Sequence, residues 1–182
     1  MVLQFHALLE GSSPRVWRRF LINGDDTVKR LIDALLVMFQ MSDGYHLYHL
    51  EQYVPGVAYG RQPKYMPTAE IEAASWDDFS KTLPAENYAI KKLVKKEGDQ
   101  LRFFYDYGDD WTVRLKLEAK LKEEECKGSL PRVIKGKGAG IIEDCGGVWA
   151  LNEMMQDEKE FGVADEEDSL LLFDIEAVNE AL

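Results

Sequence analysis

The chain has 182 residues, 46% of them hydrophobic, with 22 Lys+Arg against 33 Asp+Glu and a formal net charge of −11. That length suits one domain with a proper core, no apolar run is long enough to span a bilayer, and the acidic balance repels a phosphate backbone, which disfavours direct nucleic-acid binding. Two cysteines, Cys126 and Cys145, are too few for a disulfide framework, and the start lacks the basic n-region of a signal peptide, so a cytoplasmic protein with no membrane partner is expected.

Residues 2–10 alternate, with Leu3, Phe5, Ala7 and Leu9 opposed to Gln4, His6 and Glu10, which predicts a half-buried strand. A turn cluster at 11–14 leads to a second strand over 15–22, which carries Arg15, Arg18 and Arg19 around Trp17. The best helix runs over 27–40, with Asp26 as its expected N-cap and Asp25 as the alternative. Val28, Leu31, Ile32, Leu35, Leu36 and Phe39 form its apolar stripe. Residues 46–54 read as an aromatic-rich third strand, and 55–68 as an irregular surface excursion with three prolines. Short helices are expected at 76–83 and 89–96.

The clearest hairpin joins 101–107 to 111–121, where Trp111, Val113, Leu115, Leu117, Ala119 and Leu121 alternate with polar residues. Burial favours a three-residue loop at 108–110, pairing Tyr105 with Val113 and Phe103 with Leu115, over a two-residue turn that would set Arg102 against Leu115. Asp106 then lies inside a strand, on the polar face with Thr112. Residues 127–147 read as a long loop with six glycines, followed by a short helix over 149–156 and an acidic, mobile run over 157–168. Residues 170–173 are a strand or an anchor, and Asp174 caps a last helix over 175–182. The expected architecture is α+β: a single domain over 1–182, a mostly antiparallel sheet covered by the amphipathic helix, a Gly-rich loop and C-terminal helices.

Two stretches exceed what a fold needs: Tyr105-Asp106-Tyr107-Gly108-Asp109-Asp110-Trp111 and Glu143-Asp144-Cys145-Gly146-Gly147. Together with Ser13-Pro14-Arg15-Val16-Trp17-Arg18-Arg19, His46-Leu47-Tyr48-His49, Gly136-Lys137-Gly138-Ala139 and the closing Phe173-Asp174-Ile175-Glu176-Ala177-Val178-Asn179, they make the chain resemble the plasmid pRiA4b ORF-3-like family, also labelled insertion-element passenger TnpR-like. The resemblance covers nearly the whole chain. It implies an α+β single domain and an association with mobile elements; it implies no particular activity, and nothing in these residues supports a recombinase. One departure stands out. The resemblance implies Cys-Pro-Pro before Glu143, where this chain has Gly140-Ile141-Ile142, so only Cys145 remains of the cysteine pair.

The chemistry these residues offer falls into four groups. His46, His49, Asp106 and Asp109, with Asp110, Glu143, Asp144 and Cys145, are the ligand types of a divalent-metal site. If 46–54 is a regular strand, however, His46 and His49 point to opposite faces, which leaves His49 a hydrogen-bonded sheet residue and His46 exposed. Asp106, Glu143, Asp144 and Cys145 are the candidate catalytic groups; the two acidic neighbours of Cys145 work against a thiolate. Trp17, Arg18, Tyr105, Tyr107 and Trp111 are the candidate ligand-binding set. Lys135-Gly136-Lys137-Gly138 lacks the order of a phosphate-binding loop. The function expected is an interaction or regulatory module that binds a protein or small ligand through an aromatic-acidic surface. A metal-assisted hydrolase or a nucleic-acid-processing accessory enzyme is the alternative. The glycine loop is expected to fold back on the 105–111 tip.

Overall fold

The computed structural model describes residues 1–58, 61–73, 82–165 and 168–182. Eight strands form one sheet: β1 (Val2–Leu9), β2 (Trp17–Asn23), β3 (Tyr48–Gln52), β4 (Lys64–Met66), β5 (Thr82–Pro84), β6 (Gln100–Tyr105), β7 (Trp111–Leu121) and β8 (Arg132–Lys137). Their order is β5-β4-β3-β6-β7-β1-β2-β8, antiparallel throughout except for β4 with β5. The helices are α1 (Val28–Phe39), α2 (Thr68–Ala73), α3 (Ile90–Leu93), α4 (Gly147–Phe161) and α5 (Ile175–Ala181). This is the expected α+β class. Among the described residues, no helix is long and apolar enough to cross a membrane.

The alternation of β1 is realised directly. Leu3, Phe5, Ala7 and Leu9 are fully buried beneath α1, while Gln4 and His6 face the wetter side of the sheet. There Arg19 grips Glu118 through Nε at 2.6 Å and Nη2 at 2.8 Å, and Gln4 donates to the same carboxylate at 2.9 Å. Eight of the twelve residues of α1 are buried, so the helix forms the second layer of the core.

Several boundaries differ from the sequence expectation. The N-cap of α1 is Thr27, whose hydroxyl accepts from the Arg30 amide at 3.2 Å, not Asp26. The cause is tertiary: the Val28 amide donates to Tyr88 O at 2.8 Å and the Ile90 amide to Asp26 O at 2.9 Å, which pairs Thr27 with Ala89 and sets it, extended, at the helix entrance. The stretch 55–68 contains β4, and 127–147 contains β8, both hidden by prolines or glycines in the sequence. The basic helix shrinks to Ile90–Leu93, α4 runs on through the first residues of the acidic stretch to Phe161, and 170–173 is not a strand. The helix expected over 76–83 lies mostly outside the described residues; its last two positions belong to β5. The last helix is as expected, with Asp174 Oδ1 accepting from the Glu176 and Ala177 amides, each at 3.0 Å.

The hairpin pairs Tyr105 with Trp111, Phe103 with Val113 and Leu101 with Leu115. Odd positions do face odd positions, as burial required, but the register is shifted by two residues because the loop spans 106–110 instead of 108–110. Asp106 and Asp110 both take left-handed backbones (φ 54° each), and the Asp110 amide donates to Asp106 O at 2.7 Å. Aspartate tolerates this conformation better than a branched residue does. Asp106 is thus the first loop residue and not a strand residue facing Thr112.

Arg18 ties the end of the sheet to the helix layer. Its side chain is fully buried, and among the described residues no carboxylate is a hydrogen-bond partner. Nε donates to Met38 O at 3.0 Å, Nη1 to Trp17 O and Lys137 O at 2.9 Å each, and Nη2 to Ala139 O. The guanidinium carbon lies 3.8 Å from the Phe173 ring centroid and 5.1 Å from that of Phe39. Burial pulls its pKa down to about 9. Beside it, the Val133 amide donates to Asn179 Oδ1 at 2.8 Å while Asn179 Nδ2 donates to Val133 O at 3.0 Å, which fastens α5 to β8. Arg18→Met keeps an apolar stem but strands the carbonyls, so we expect a loss of about 2–4 kcal/mol of stability in urea unfolding; unchanged stability would show that these bonds contribute nothing.

Candidate functional site

The two atypical stretches meet. Tyr105, at the end of β6, is buried, and its hydroxyl donates to Glu143 Oε1 at 2.7 Å. The Ser42 amide, just past α1, donates to the same carboxylate oxygen at 2.8 Å and to the Tyr105 hydroxyl at 3.1 Å. Asp109 Oδ2 accepts from the Gly146 amide at 3.0 Å. At Gly147 (φ 80°) a Cβ would lie 2.6 Å from Asp109 O, so this contact requires glycine. Behind the loop, the Ile141 amide donates to Phe39 O at 2.9 Å, and Gly140 lies so close that a Cβ there would be 2.5 Å from that oxygen. The glycine at the departing cysteine position therefore lets the loop press on the end of α1, and Ile141 enters the core.

His46 occupies the space the two stretches enclose. It precedes β3, so the strand-alternation argument does not govern it, and it is half-buried, not exposed. Nδ1 lies 3.4 Å from Asp106 Oδ1; Nε2 lies 3.4 Å from Asp144 Oδ1 and 3.6 Å from Glu143 Oε2. Asp106 is only 7% exposed and also accepts from the Gly108 amide at 2.9 Å. One donor atom each of His46, Asp106 and Asp144 lies within 4.8 Å of the others. Both His46 Nε2 and Glu143 Oε2 are buried without a hydrogen-bond partner. Tyr45 closes one side: its ring centroid is 4.4 Å from that of His46, and its hydroxyl donates to Asp144 Oδ2 at 3.0 Å, which pushes the phenol pKa up. Burial, then the Glu143 bond, pushes up that of Tyr105.

The other candidates go elsewhere. His49 does not join His46. It stacks on Phe104 (centroids 4.8 Å) and bonds Tyr107 and Glu51. Asp109 is spent on Gly146, and Asp110 is an exposed turn residue. Cys145 donates to Gly147 O at 3.7 Å, and burial, with Asp109 adding, raises its thiol pKa. Of the ligand-binding set, Tyr105 touches the His46 cluster. Arg18 is the strut described above, Trp17 stacks on His6 across the polar face, and Trp111 is buried with an unpartnered indole N–H. Tyr45 stands beside His46 in the sequence and belongs to the chain's wider set of aromatic pocket candidates, but nothing in the sequence marks Ser42.

A family model described as "Plasmid pRiA4b ORF-3-like protein" matches residues 1–180. The chain belongs to the plasmid pRiA4b ORF-3-like family. A crystal structure of a protein of unknown function from Methanosarcina mazei Go1 superposes with a TM-score of 0.73 at 25% identity, covering 96% of this chain and 94% of that one. No match was found among curated proteins.

Gly147→Ala tests whether the two stretches are held together as described. We expect about 2–3 kcal/mol lost in thermal or urea unfolding, from backbone strain plus the clash with Asp109 O. Gly162→Ala, at φ 78° with nothing within 4 Å, should cost only about 1 kcal/mol. Equal losses would mean that the contact with Asp109 is not close.

Proposed function

We propose that the chain is a divalent-cation-dependent binding module, with His46, Glu143 and Asp144 as the donors and Asp106 supporting the imidazole from behind. The observation that carries this reading is the spacing around His46 Nε2, an unpartnered buried nitrogen with carboxylate oxygens at 3.4 and 3.6 Å. Direct hydrogen bonds would close to about 2.8 Å. A tetrahedral ion with bonds of about 2.1 Å instead sets neighbouring donor atoms about 3.4 Å apart. Asp106, on the Nδ1 side, is the carboxylate that orients a ligating imidazole. Tyr45 forms an aromatic rim, so the partner that fits is a small ligand presenting oxygen donors to the ion. The positive charge of the ion would draw such a ligand to an otherwise acidic protein. A second reading, metal-assisted hydrolysis, is favoured by Glu143 Oε2, a free carboxylate oxygen beside the same nitrogen.

Zinc and manganese binding by isothermal titration, with elemental analysis of chelator-free protein, tests this. One ion per chain is expected. Asp144→Asn, at the most exposed of the four, should weaken binding at least about tenfold without changing the melting temperature of the metal-free protein. His46→Gln should abolish it. No uptake, or equal uptake by both variants, would sink the proposal.

A further inference from the structure

A second polar chain lies across the sheet from β3 to the hairpin loop, and the cation site does not use it. The Tyr107 hydroxyl is 2.8 Å from His49 Nδ1, and His49 Nε2 is 3.3 Å from Glu51 Oε1. His49 and Glu51 are two residues apart on β3 and share one face, which is why both reach the same row. The ring of His49 is clamped between Phe104, nearly parallel at 4.8 Å, and the edge of Tyr107 at 5.6 Å. Glu51 and Arg102 line a small cleft with Tyr53, Val57 and Gln62. His49 and Glu51 are buried, while Tyr107 is 47% exposed.

The tautomer follows from the partners. A carboxylate only accepts, so Nε2 carries the ring proton and donates to Glu51, which leaves Nδ1 to accept from the Tyr107 hydroxyl. The electrostatics agree. Burial lowers the pKa of His49, keeping it a neutral base; for Glu51 burial acts upward, but His49 and Lys64 outweigh it and hold the acid below its usual range. A hydroxyl bonded to a neutral imidazole whose far nitrogen is held by a carboxylate is the general arrangement of an activated oxygen nucleophile.

We propose that Tyr107, His49 and Glu51 form a reactive site for acyl compounds, with Tyr107 as nucleophile, His49 as base and Glu51 as the positioning residue. The phenol oxygen bonds to the acyl carbon as the bond from that carbon to its leaving oxygen breaks. The phenol proton passes to His49 Nδ1 and from there to the leaving group. Glu51 holds the doubly protonated ring meanwhile. This site does not rest on the cation site, so the test is run with chelator present.

The probe is p-nitrophenyl acetate at neutral pH, with the acetyl group located by peptide mass spectrometry. Tyr53, 49% exposed, and Tyr45, 62% exposed, are internal references. If exposure alone set the rate, both would label at least as fast as Tyr107. We expect Tyr107 to label at least about tenfold faster than Tyr53, a modest share of what a positioned base supplies. His49→Gln should remove that preference and Glu51→Gln should reduce it, while the rate at Tyr53 stays unchanged and so reports an intact fold. Tyr107→Phe should lose the fast label. Equal rates at Tyr107 and Tyr53 in the native protein, or a preference that survives His49→Gln, would overturn the proposal.

Discussion

The buried guanidinium of Arg18 is the interaction on which the rest is hung. A buried charge is costly, and hydrogen-bond acceptors must offset it. Those acceptors are carbonyls from four places: Trp17 on β2 itself, Met38 near the end of α1, Lys137 at the end of β8 and Ala139 in the following loop. Satisfying one side chain therefore fixes where the helix layer ends relative to the sheet and where the glycine loop begins. Phe39 and Phe173 cover the guanidinium faces and bring in the C-terminal segment. Everything past residue 139, including Glu143 and Asp144, starts from a point Arg18 holds.

From that point the site assembles against electrostatic opposition. Three carboxylates converge on one imidazole in a partly closed space, and like charges so placed repel. The backbone holds them there through contacts that involve no ion: the Gly146 amide on Asp109, the Gly108 amide on Asp106, and the Ser42 amide with the Tyr105 hydroxyl on Glu143. Asp106 and Asp144 both adopt left-handed backbones. An arrangement maintained by neutral amides and strained turns is organised ahead of whatever balances its charge.

Which parts were legible in the sequence follows from how local their causes are. β1, β7 and α1 bury their own periodic faces, so their patterns reach the structure almost unchanged. The cap of α1 was misplaced because pairing of Thr27 with Ala89, some sixty residues on, fixes where the chain enters the helix. β8 was hidden because its pairing with β2 needs Gly136, where Phe173 leaves no room for a Cβ. The meeting of the 105–111 and 143–147 stretches was readable from their shared, costly composition. The identity of the histidine was not: the alternation rule was applied to residues 46–49 as one strand, whereas β3 starts at Tyr48. That two-residue difference frees His46 from the strand's alternation and leaves it half-buried instead of exposed.

Asn179 has a role larger than its size. Its amide both accepts from and donates to Val133, which is how a neighbouring strand would bond the outer rim of β8. At the other rim, β5 is three residues long and ends in Pro84, which offers little to pair with. At Val133 the rim of β8 is thus already occupied by a side chain, and the short, proline-ended β5 presents little backbone at the other border. A polypeptide adding a strand to β8 would first have to displace the Asn179 amide from Val133.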